Sequence, residues 1–205
     1  MKLLIATKNP GKFMEIAQML GVLPIKLISL ADAGFNDEVE EYGETHKQNA
    51  ILKARYFYEK TGGIPVLGED SGVHVDAFPG ELGVKTRRWG EFENATDEEW
   101  IENFLRAMAD KTPEKRGAKF VCCAAIILDK KSCETPHIFE GETRGMITKK
   151  LEAPLSAGIP VSSCFRPEGC DKVYAALSVE EKNRVSHRGK AMAAVRDFLR
   201  ASLLV

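Results

Sequence analysis

The chain has 205 residues, of which 44% are hydrophobic and 29% are charged, a composition typical of ordinary globular proteins. This length predicts a single domain over residues 1–205, or a domain with a small lobe, with a substantial core. Its 29 basic and 30 acidic residues give a net charge of -1, which excludes a general electrostatic attraction to nucleic acid or anionic membranes. Any anion must be bound by a local group of cations.

The sequence also argues against several locations and kinds of site. No apolar run approaches the length of a membrane span, and the N-terminal apolar run is too short for a signal peptide, so we expect a cytoplasmic location. The five cysteines form no Cys-x-x-Cys pair, which argues against a disulfide framework and a zinc site. Cys122 and Cys123 fall in an apolar run and are expected to fill the core.

The N-terminal segment predicts a strand, a polar turn and a helix. Residues 2–6 are mostly apolar, and Asn9 and Pro10 are suitable for the cap and first turn of the helix that follows. Lys8 and Lys12 flank the helix start, where exposed backbone N–H groups bind phosphate well. Two solvated lysines beside a capping residue explain the segment equally well, so both interpretations stay open at this point.

A second strand is predicted over residues 24–30, and an irregular acidic stretch follows over residues 31–44. The carboxylates in this stretch are Asp37, Glu38, Glu40, Glu41 and Glu44. Such a cluster is usually a solvated loop, but a Mg²⁺ site beside a triphosphate also needs one or two carboxylates. Thr45 and Gln48 then form a capping box that predicts a helix to about residue 60. Lys53 on this helix has the ordinary interpretation of a surface lysine.

Two adjacent carboxylates, Glu69 and Asp70, lie between Gly68 and Gly72, immediately after an apolar run at residues 64–67. This pattern predicts carboxylates at the end of a buried strand, where glycines permit a tight backbone and the close approach of a ligand. A simple turn is the alternative, because Asp, Ser and Gly are common turn residues. The short motif by itself favours the turn.

The second half of the chain predicts antiparallel strands. Residues 119–128 form a strong strand candidate, which residues 130–132 connect as a hairpin turn to a partner strand over residues 138–143. Because the first half alternates strands with helices, the complete pattern indicates a mixed sheet. Residues 148–172 are interrupted by prolines and glycines and are expected to be the least regular part.

The last segment carries a group of potential cations at a helix start. Ser178 begins a short helix, and Lys182, His187, Arg188 and Lys190 lie before or at the start of the final helix. Cations oppose the helix dipole at that end unless an anion lies among them, so the pattern modestly favours a bound ligand.

Together these segments resemble the inosine triphosphate pyrophosphatase family, whose members hydrolyse non-standard purine nucleoside triphosphates to monophosphate and pyrophosphate. Each matching motif is weak alone, but their common order and spacing over nearly the whole chain are hard to explain by coincidence. The principal matches are Ala6-Thr7-Lys8-Asn9-Pro10-Gly11-Lys12, Glu41, Asn49-Ala50-Ile51-Leu52-Lys53-Ala54, Glu69-Asp70-Ser71-Gly72, Phe139-Glu140-Gly141, Glu181-Lys182-Asn183 and Ser186-His187-Arg188-Gly189-Lys190.

The resemblance implies an α/β fold with an elongated central mixed sheet flanked by helices, two lobes with a substrate cleft between them, and a homodimer. It implies Mg²⁺ as cofactor, held at the Glu41 and Asp70 positions, with Asp70 also acting as the base that activates water. The partner it implies is a nucleoside triphosphate, with no nucleic acid and no membrane. The substrate-binding positions that it implies are Thr7, Lys8, Asn9, Pro10, Gly11, Lys12, Lys53, Ser71, Arg88, Lys182, His187 and Arg188.

One loop departs from the family pattern. Family members carry a Phe-Gly-Tyr-Asp run that stacks on the purine and reads its edge, and the counterpart here is Ile159-Pro160-Val161-Ser162. Stacking on a base is worth about 1–3 kcal/mol. The alternatives are therefore a pyrophosphatase with a shifted base preference, or a nucleotide-binding protein with weak catalysis. Phe165 is a candidate replacement for the missing ring.

Overall fold

The computed structural model describes residues 1–37, 39–90 and 95–203, so Glu38 of the acidic stretch lies outside the described residues. The described strands are β1 Lys2–Ala6, β2 Lys26–Ser29, β3 Val66–Val75, β4 Gly117–Ile127, β5 His137–Ile147 and β6 Phe165–Pro167. The described α-helices are α1 Pro10–Leu20, α2 His46–Lys60, α3 Asp97–Met108, α4 Lys130–Glu134, α5 Val179–Val185 and α6 His187–Leu203. Short 3-10 helices occur at Gly83–Arg88, Pro113–Lys115, Pro160–Ser163 and Tyr174–Ala176.

The six described strands form one mixed sheet in the order β2-β1-β3-β4-β5-β6. β1 is parallel to both β2 and β3, and helices α1 and α2 provide the crossovers that parallel strands require. β3, β4, β5 and β6 then pair antiparallel in succession. The expected α/β fold with a central mixed sheet flanked by helices is confirmed.

Helix starts follow the predicted caps. The Asn9 side chain caps α1, with Pro10 in the first turn, and Thr45 and Gln48 form the capping box that starts α2. Another capping box, at Ser178, starts α5. These caps satisfy backbone N–H groups that have no partner within the helix, so the local sequence is sufficient to define these starts.

The adjacent carboxylates Glu69 and Asp70 lie inside β3. The register of β1 with β3 ends at the pair Ala6–Gly68, whereas β3 continues to Val75 and stays paired with β4. The predicted strand end and its alternative, a turn, are therefore both wrong. Because β1 stops where β3 continues, the turn that leads from β1 into α1 lies beside these carboxylates.

The glycines on either side of the carboxylates allow neighbouring backbone segments to pack closely on β3. A Cβ at Gly68 would lie 2.3 Å from the carbonyl oxygen of Ala50 in α2. A Cβ at Gly72 would lie 2.1 Å from the carbonyl oxygen of Gly83. These distances are far inside van der Waals contact, so helix α2 and the Gly83–Arg88 turn can approach β3 only at residues without a side chain.

Alternation along β3 directs the two carboxylates to opposite faces of the sheet. Leu67 belongs to the hydrophobic cluster formed with α1 and α6, and Val66 to the cluster formed with α2. Glu69 therefore faces α1 and α6, and Asp70 faces α2. Farther along the strand, Val73 belongs to a third cluster that contains α3. The carboxylates thus occupy the polar gap between these clusters.

Two predictions about the second half are corrected. Residues 130–132 lie in α4, because the Asp129 side chain accepts a hydrogen bond from the Ser132 backbone and caps a short helix. The strands on either side are nevertheless antiparallel as predicted. Within the irregular residues 148–172, Phe165–Pro167 adds an edge strand to β5. Three residues are too few to show strand periodicity in the sequence.

The cysteines are free thiols, and the two that were predicted to lie in the core are buried there. All five cysteines are free, and Cys122 and Cys123 are buried in the core as predicted. Among the described residues, no helix combines the length and the apolar character needed to cross a bilayer.

Candidate active site

The Thr7 to Lys12 segment forms a tight turn at the N-terminus of α1. The Asn9 Oδ1 atom accepts a hydrogen bond from the Lys12 backbone at 3.0 Å, and the Asn9 backbone donates to Thr7 Oγ1 at 3.2 Å. Gly11 lies so close to another loop that a Cβ there would be 2.5 Å from the Ala157 carbonyl oxygen. The turn is therefore held rigidly, with the positive end of the helix dipole beside β3.

Glu69 is the centre of a buried ion-pair network. Its carboxylate lies 3.0 Å from Lys12 Nζ and 3.1 Å from the Arg188 guanidinium, and Cys122 Sγ donates to it at 3.4 Å. Burial raises the pKa of Glu69, but the positive charges of Lys12 and Arg188 outweigh this effect and hold the pKa well below its ordinary value. Glu69 is thus ionised and fully paired.

Arg188 joins this network to α1. Its guanidinium donates to Ser71 Oγ at 2.7 Å and forms an ion pair with Glu15. Glu15 Oε1 also forms an ion pair with Lys182 Nζ at 2.6 Å. The anions that accompany the cations around the α6 start are therefore carboxylates of the protein itself. This arrangement removes the electrostatic reason for expecting a bound ligand at that helix end.

Glu15 is a residue that the sequence analysis missed. It lies one helical turn after Lys12 on α1, so the two side chains share a face. The available signal was a carboxylate on the same helix face as Lys12, which the sequence predicts to bind phosphate, and it could have been matched to the basic cluster near residue 188.

On the opposite face of β3, Asp70 contacts α2. Its Oδ2 lies 2.7 Å from His46 Nδ1, and its Oδ1 lies 3.4 Å from Lys53 Nζ and 4.0 Å from Lys12 Nζ. Burial raises the pKa of Asp70, but the hydrogen bond from His46 and the charges of Lys53 and Lys12 lower it to about 2. The carboxylate is therefore ionised at neutral pH.

Lys53 brings Glu41 from the acidic stretch to Asp70. Its ammonium lies 2.8 Å from Glu41 Oε1 and 3.4 Å from Asp70 Oδ1. The Lys53 side chain is buried, so its interpretation as a surface lysine is wrong. Burial lowers its pKa, but the charges of Asp70 and Glu41 outweigh that effect and raise it, so Lys53 stays charged.

The carboxylate oxygens that surround Lys53 are suitable ligands for a hard divalent cation. Glu41 and Asp70 place carboxylate oxygens around one ammonium, and such oxygens are the protein ligands that Mg²⁺ prefers. Within the described ranges, no group of three His, Cys, Asp or Glu residues is arranged to hold a metal. Mg²⁺ commonly takes one or two carboxylates and completes its coordination with waters and substrate phosphates, so two carboxylates are sufficient.

A cavity of about 810 Å³ is lined by Glu41 and by His46, the residues that contact Lys53 and Asp70 respectively. Arg88 lies in its wall and donates to the backbone carbonyl oxygen of Glu41 at 3.2 Å. The other residues that line the cavity are Tyr42, Gly43, Glu44, Thr45, His74, Gly80, Leu82, Val84 and Lys85. The cavity therefore connects the Glu41 carboxylate with a basic wall.

Among the described contacts, neither Lys8 nor His187 reaches Glu69 or Asp70. Lys8 Nζ donates to the Asn36 carbonyl oxygen at 2.7 Å. The His187 ring is buried and stacks on Phe120 with ring centroids 4.7 Å apart. Burial, reinforced by the Arg188 charge, holds the pKa of His187 well below its ordinary value, so this ring is neutral. Of the predicted cation cluster, Arg188 and Lys182 contact carboxylates.

The divergent loop lies against the α1 turn. Pro160, Val161 and Ser162 are buried in a 3-10 helix. Just before it, the Gly158 carbonyl oxygen accepts from Asn9 Nδ2 at 2.7 Å. A purine cannot stack on buried residues of this loop without moving them.

Phe165 does not replace the missing aromatic ring. Its side chain is fully buried, and its ring packs edge-on against Phe120 and at a tilt against Tyr174, with ring centroids 4.8 Å apart in each pair. The suggestion that Phe165 stacks on a base is therefore wrong, because β6 places this side chain in the core.

His46 is the second residue that the sequence analysis missed. It is the first residue of α2, and it precedes Asn49 by three positions and Lys53 by seven. These spacings place the three side chains on one face of a helix. The sequence signal for His46 was a polar helix face that follows a capping box. Using this signal required knowing that α2 packs on the Asp70 face of β3.

Comparison with known proteins gives consistent matches over nearly the whole chain. The model of the Ham1 family matches residues 3–198. A protein named dITP/XTP pyrophosphatase from Caldanaerobacter subterraneus subsp. tengcongensis is 34% identical over 199 residues, covering 97% of this chain and 96% of the relative. A protein of the same name from Photorhabdus laumondii is 37% identical, with coverages of 97% and 98%. The structure of a HAM1 protein from Coxiella burnetii has a TM-score of 0.81 and 31% identity, covering 98% of this chain and 99% of that one.

Proposed function

The chain belongs to the Ham1 family, and from this premise we propose that it hydrolyses non-standard purine nucleoside triphosphates of the inosine and xanthosine type. The products are the nucleoside monophosphate and pyrophosphate. Residues 1–205 act as one domain in this reaction, in a cytoplasmic homodimer, as the family resemblance implies.

The observation that carries the proposal is the placement of an ionised Asp70 carboxylate between His46 and the ammonium groups of Lys53 and Lys12. Beside it lie the positive end of the α1 dipole and the Lys12 ammonium, which favour a negatively charged phosphate chain. Carboxylate, cations and helix start together form a site for phosphoryl chemistry, which depends mainly on positioning and charge stabilisation.

In the proposed reaction, a water oxygen attacks the α-phosphorus and the bond to the oxygen that bridges the α- and β-phosphorus atoms breaks. Asp70 orients this water and accepts its proton, while pyrophosphate leaves with the bridging oxygen. Lys12 and the backbone of the Thr7 to Lys12 turn hold the phosphate oxygens. Mg²⁺ held by Glu41 and Asp70 would supply further positive charge for the phosphate oxygens when bound.

A second candidate function is a pyrophosphatase with a different base preference. The observation that favours it is the burial of Val161 and Ser162, which stand where the family has an aromatic ring and a carboxylate. Phosphate chemistry and base choice depend on different residues here, so one can be retained while the other changes.

The two candidates are separated by turnover of inosine, xanthosine and the four standard triphosphates, with Mg²⁺ present and pyrophosphate measured separately from phosphate. Preference for inosine and xanthosine triphosphates with release of pyrophosphate supports the first candidate. Faster turnover of a standard triphosphate supports the second. Tight triphosphate binding without hydrolysis across the set would contradict both and would indicate a nucleotide-binding protein.

A further inference from the structure

We propose that His46 is a positioning residue, which fixes the Asp70 carboxylate so that one oxygen stays turned toward the divalent cation and the phosphates. The proposal rests on the proposed function for the role of Asp70. Its evidence is the set of contacts around the two oxygens of that carboxylate.

The two oxygens of Asp70 have different surroundings. Oδ2 lies 2.7 Å from His46 Nδ1, whereas Oδ1 is directed toward Lys53 Nζ at 3.4 Å and Lys12 Nζ at 4.0 Å. A short contact on one side and longer cationic contacts on the other leave Oδ1 as the oxygen available to a metal or a water. His46 therefore selects which oxygen faces the reaction.

The direction of the hydrogen bond follows from charge. The ionised Asp70 carboxylate has no proton to donate, so His46 Nδ1 must carry the hydrogen and donate it. A donor at this distance from a carboxylate forms a strong, charge-assisted bond. This bond fixes both the ring orientation of His46 and the rotation of the carboxylate.

Asn49 is too weakly engaged to replace this contact. Its Nδ2 lies 3.5 Å from Asp70 Oδ2, at the outer limit for a hydrogen bond, while its Oδ1 accepts from the Gly43 backbone at 2.8 Å. The Gly43 contact orients the amide but does not bring it closer. Of the described contacts to Oδ2, the one from His46 is the short one.

The His46 ring is itself held in place. It is 7% exposed, and the ring of His74 meets it edge-on with centroids 5.8 Å apart. His74 is in turn close to Gly83, where a Cβ would lie 2.6 Å from His74 Cε1. Because Gly83 has φ +72°, a glycine suits both the conformation and the close ring contact. A rigid ring is what a positioning role requires.

Hydrogen-bond partners of metal-binding carboxylates affect metal affinity, and their removal typically costs about 10–100-fold. The variant His46→Phe keeps a ring against His74 but removes the donor. His46→Asn places an amide nitrogen nearly where Nδ1 lies, whereas His46→Gln extends the amide by one further bond. His137→Phe is the matched control, because His137 is exposed at the start of β5, away from Asp70.

The first measurement is the Mn²⁺ affinity of the whole protein. The electron paramagnetic resonance signal of free Mn²⁺ reports binding and needs no turnover. We expect affinity to fall about 10–100-fold in His46→Phe, to fall less in His46→Asn than in His46→Gln, and to stay unchanged in His137→Phe. Because His46 acts through Asp70, adding His46→Phe to Asp70→Asn should cause no further loss. Thermal unfolding verifies that each variant is folded.

The second measurement separates this proposal from the proposed function. If wild-type protein releases pyrophosphate, His46→Phe should lower kcat with little change in the KM for the triphosphate. If it releases none, the proposed function fails, and the Mn²⁺ series alone decides the role of His46. Equal Mn²⁺ affinity of wild type and folded His46→Phe, or equal losses in the Asn and Gln variants, would overturn the proposal.

Discussion

Glu69 and Asp70 are neighbours on β3, yet their environments differ in kind. Glu69 faces α1 and α6, where Lys12 and Arg188 pair with its carboxylate and its side chain has no exposed surface. Asp70 faces α2, where His46 holds one oxygen at 2.7 Å and the other oxygen is directed toward more distant ammonium groups. Two identical charges on one strand therefore acquire different tasks from the helices that cover them.

The difference shows how one strand supports both stability and chemistry. A carboxylate whose charge is fully paired and buried holds elements together, because unpairing it is costly. A carboxylate with one oxygen fixed by a short hydrogen bond and the other in longer contact with ammonium groups can bind a cation or accept a proton. The Glu69 side should therefore respond to mutation mainly in stability, and the Asp70 side mainly in turnover.

The largest expected effect is on turnover in Asp70→Asn. The amide cannot accept the proton of the attacking water, so kcat for triphosphate hydrolysis should fall by about 10²–10⁴-fold. Steady-state release of pyrophosphate measures this, with circular dichroism to verify the fold. Asp110→Asn, at an exposed aspartate after α3, is the control. Near-normal turnover in folded Asp70→Asn would remove Asp70 from the chemistry.

On the Glu69 side, Arg188→Met should mainly reduce stability. It leaves the buried Glu69 carboxylate without its guanidinium partner, and breaking a buried pair in this way costs about 3–5 kcal/mol of unfolding free energy. Urea unfolding measures the change. Arg184→Met, at an exposed position on α5, should cost less than about 0.5 kcal/mol. Equal stabilities of the two variants would contradict the interpretation of Glu69 as a structural centre.

Acid should weaken the fold through the same carboxylates. The pKa of Asp70 is depressed from 3.8 to about 2, and those of Glu69 and Glu15 are also lowered. The folded state thus binds fewer protons than the unfolded state, so stability is full above about pH 5 and is lost progressively as pH falls toward 2. Asp70 contributes about 2–3 kcal/mol to the unfolding free energy that is lost on acidification.

Urea unfolding at pH 6, 4 and 3 tests this contribution in wild type and Asp70→Asn. The variant lacks the Asp70 titration, so its stability should fall less over the same interval. Identical pH dependence in the two proteins would show that Asp70 gains no stability from His46 and the lysines.

The smallest expected effect belongs to Cys122→Ala. The Cys122 thiol gives Glu69 a weak hydrogen bond at 3.4 Å, while Lys12 and Arg188 supply the charge compensation. Loss of one buried atom should cost about 1 kcal/mol of unfolding free energy, and kcat should stay within about twofold of wild type. A much larger fall in kcat would mean that the Glu69 face takes part in the chemistry.

Sequence alone was sufficient where the information is local. The cap at Asn9, the capping box at Thr45 and the alternation of strands and helices follow from neighbouring residues, and the structure confirms each. The family was likewise available from motif order, since the Ham1 model matches residues 3–198. Membership needs no knowledge of contacts.

The tertiary structure decided what depends on distant segments. The glycines beside Glu69 and Asp70 suggested a turn or a ligand, and only the approach of α2 and the Gly83 backbone shows that they allow close packing. Likewise, His46 meets Asp70 across 24 positions in the chain. A local pattern gives the residues available for a site, whereas the distribution of charge between the faces of β3 depends on which helices cover each face.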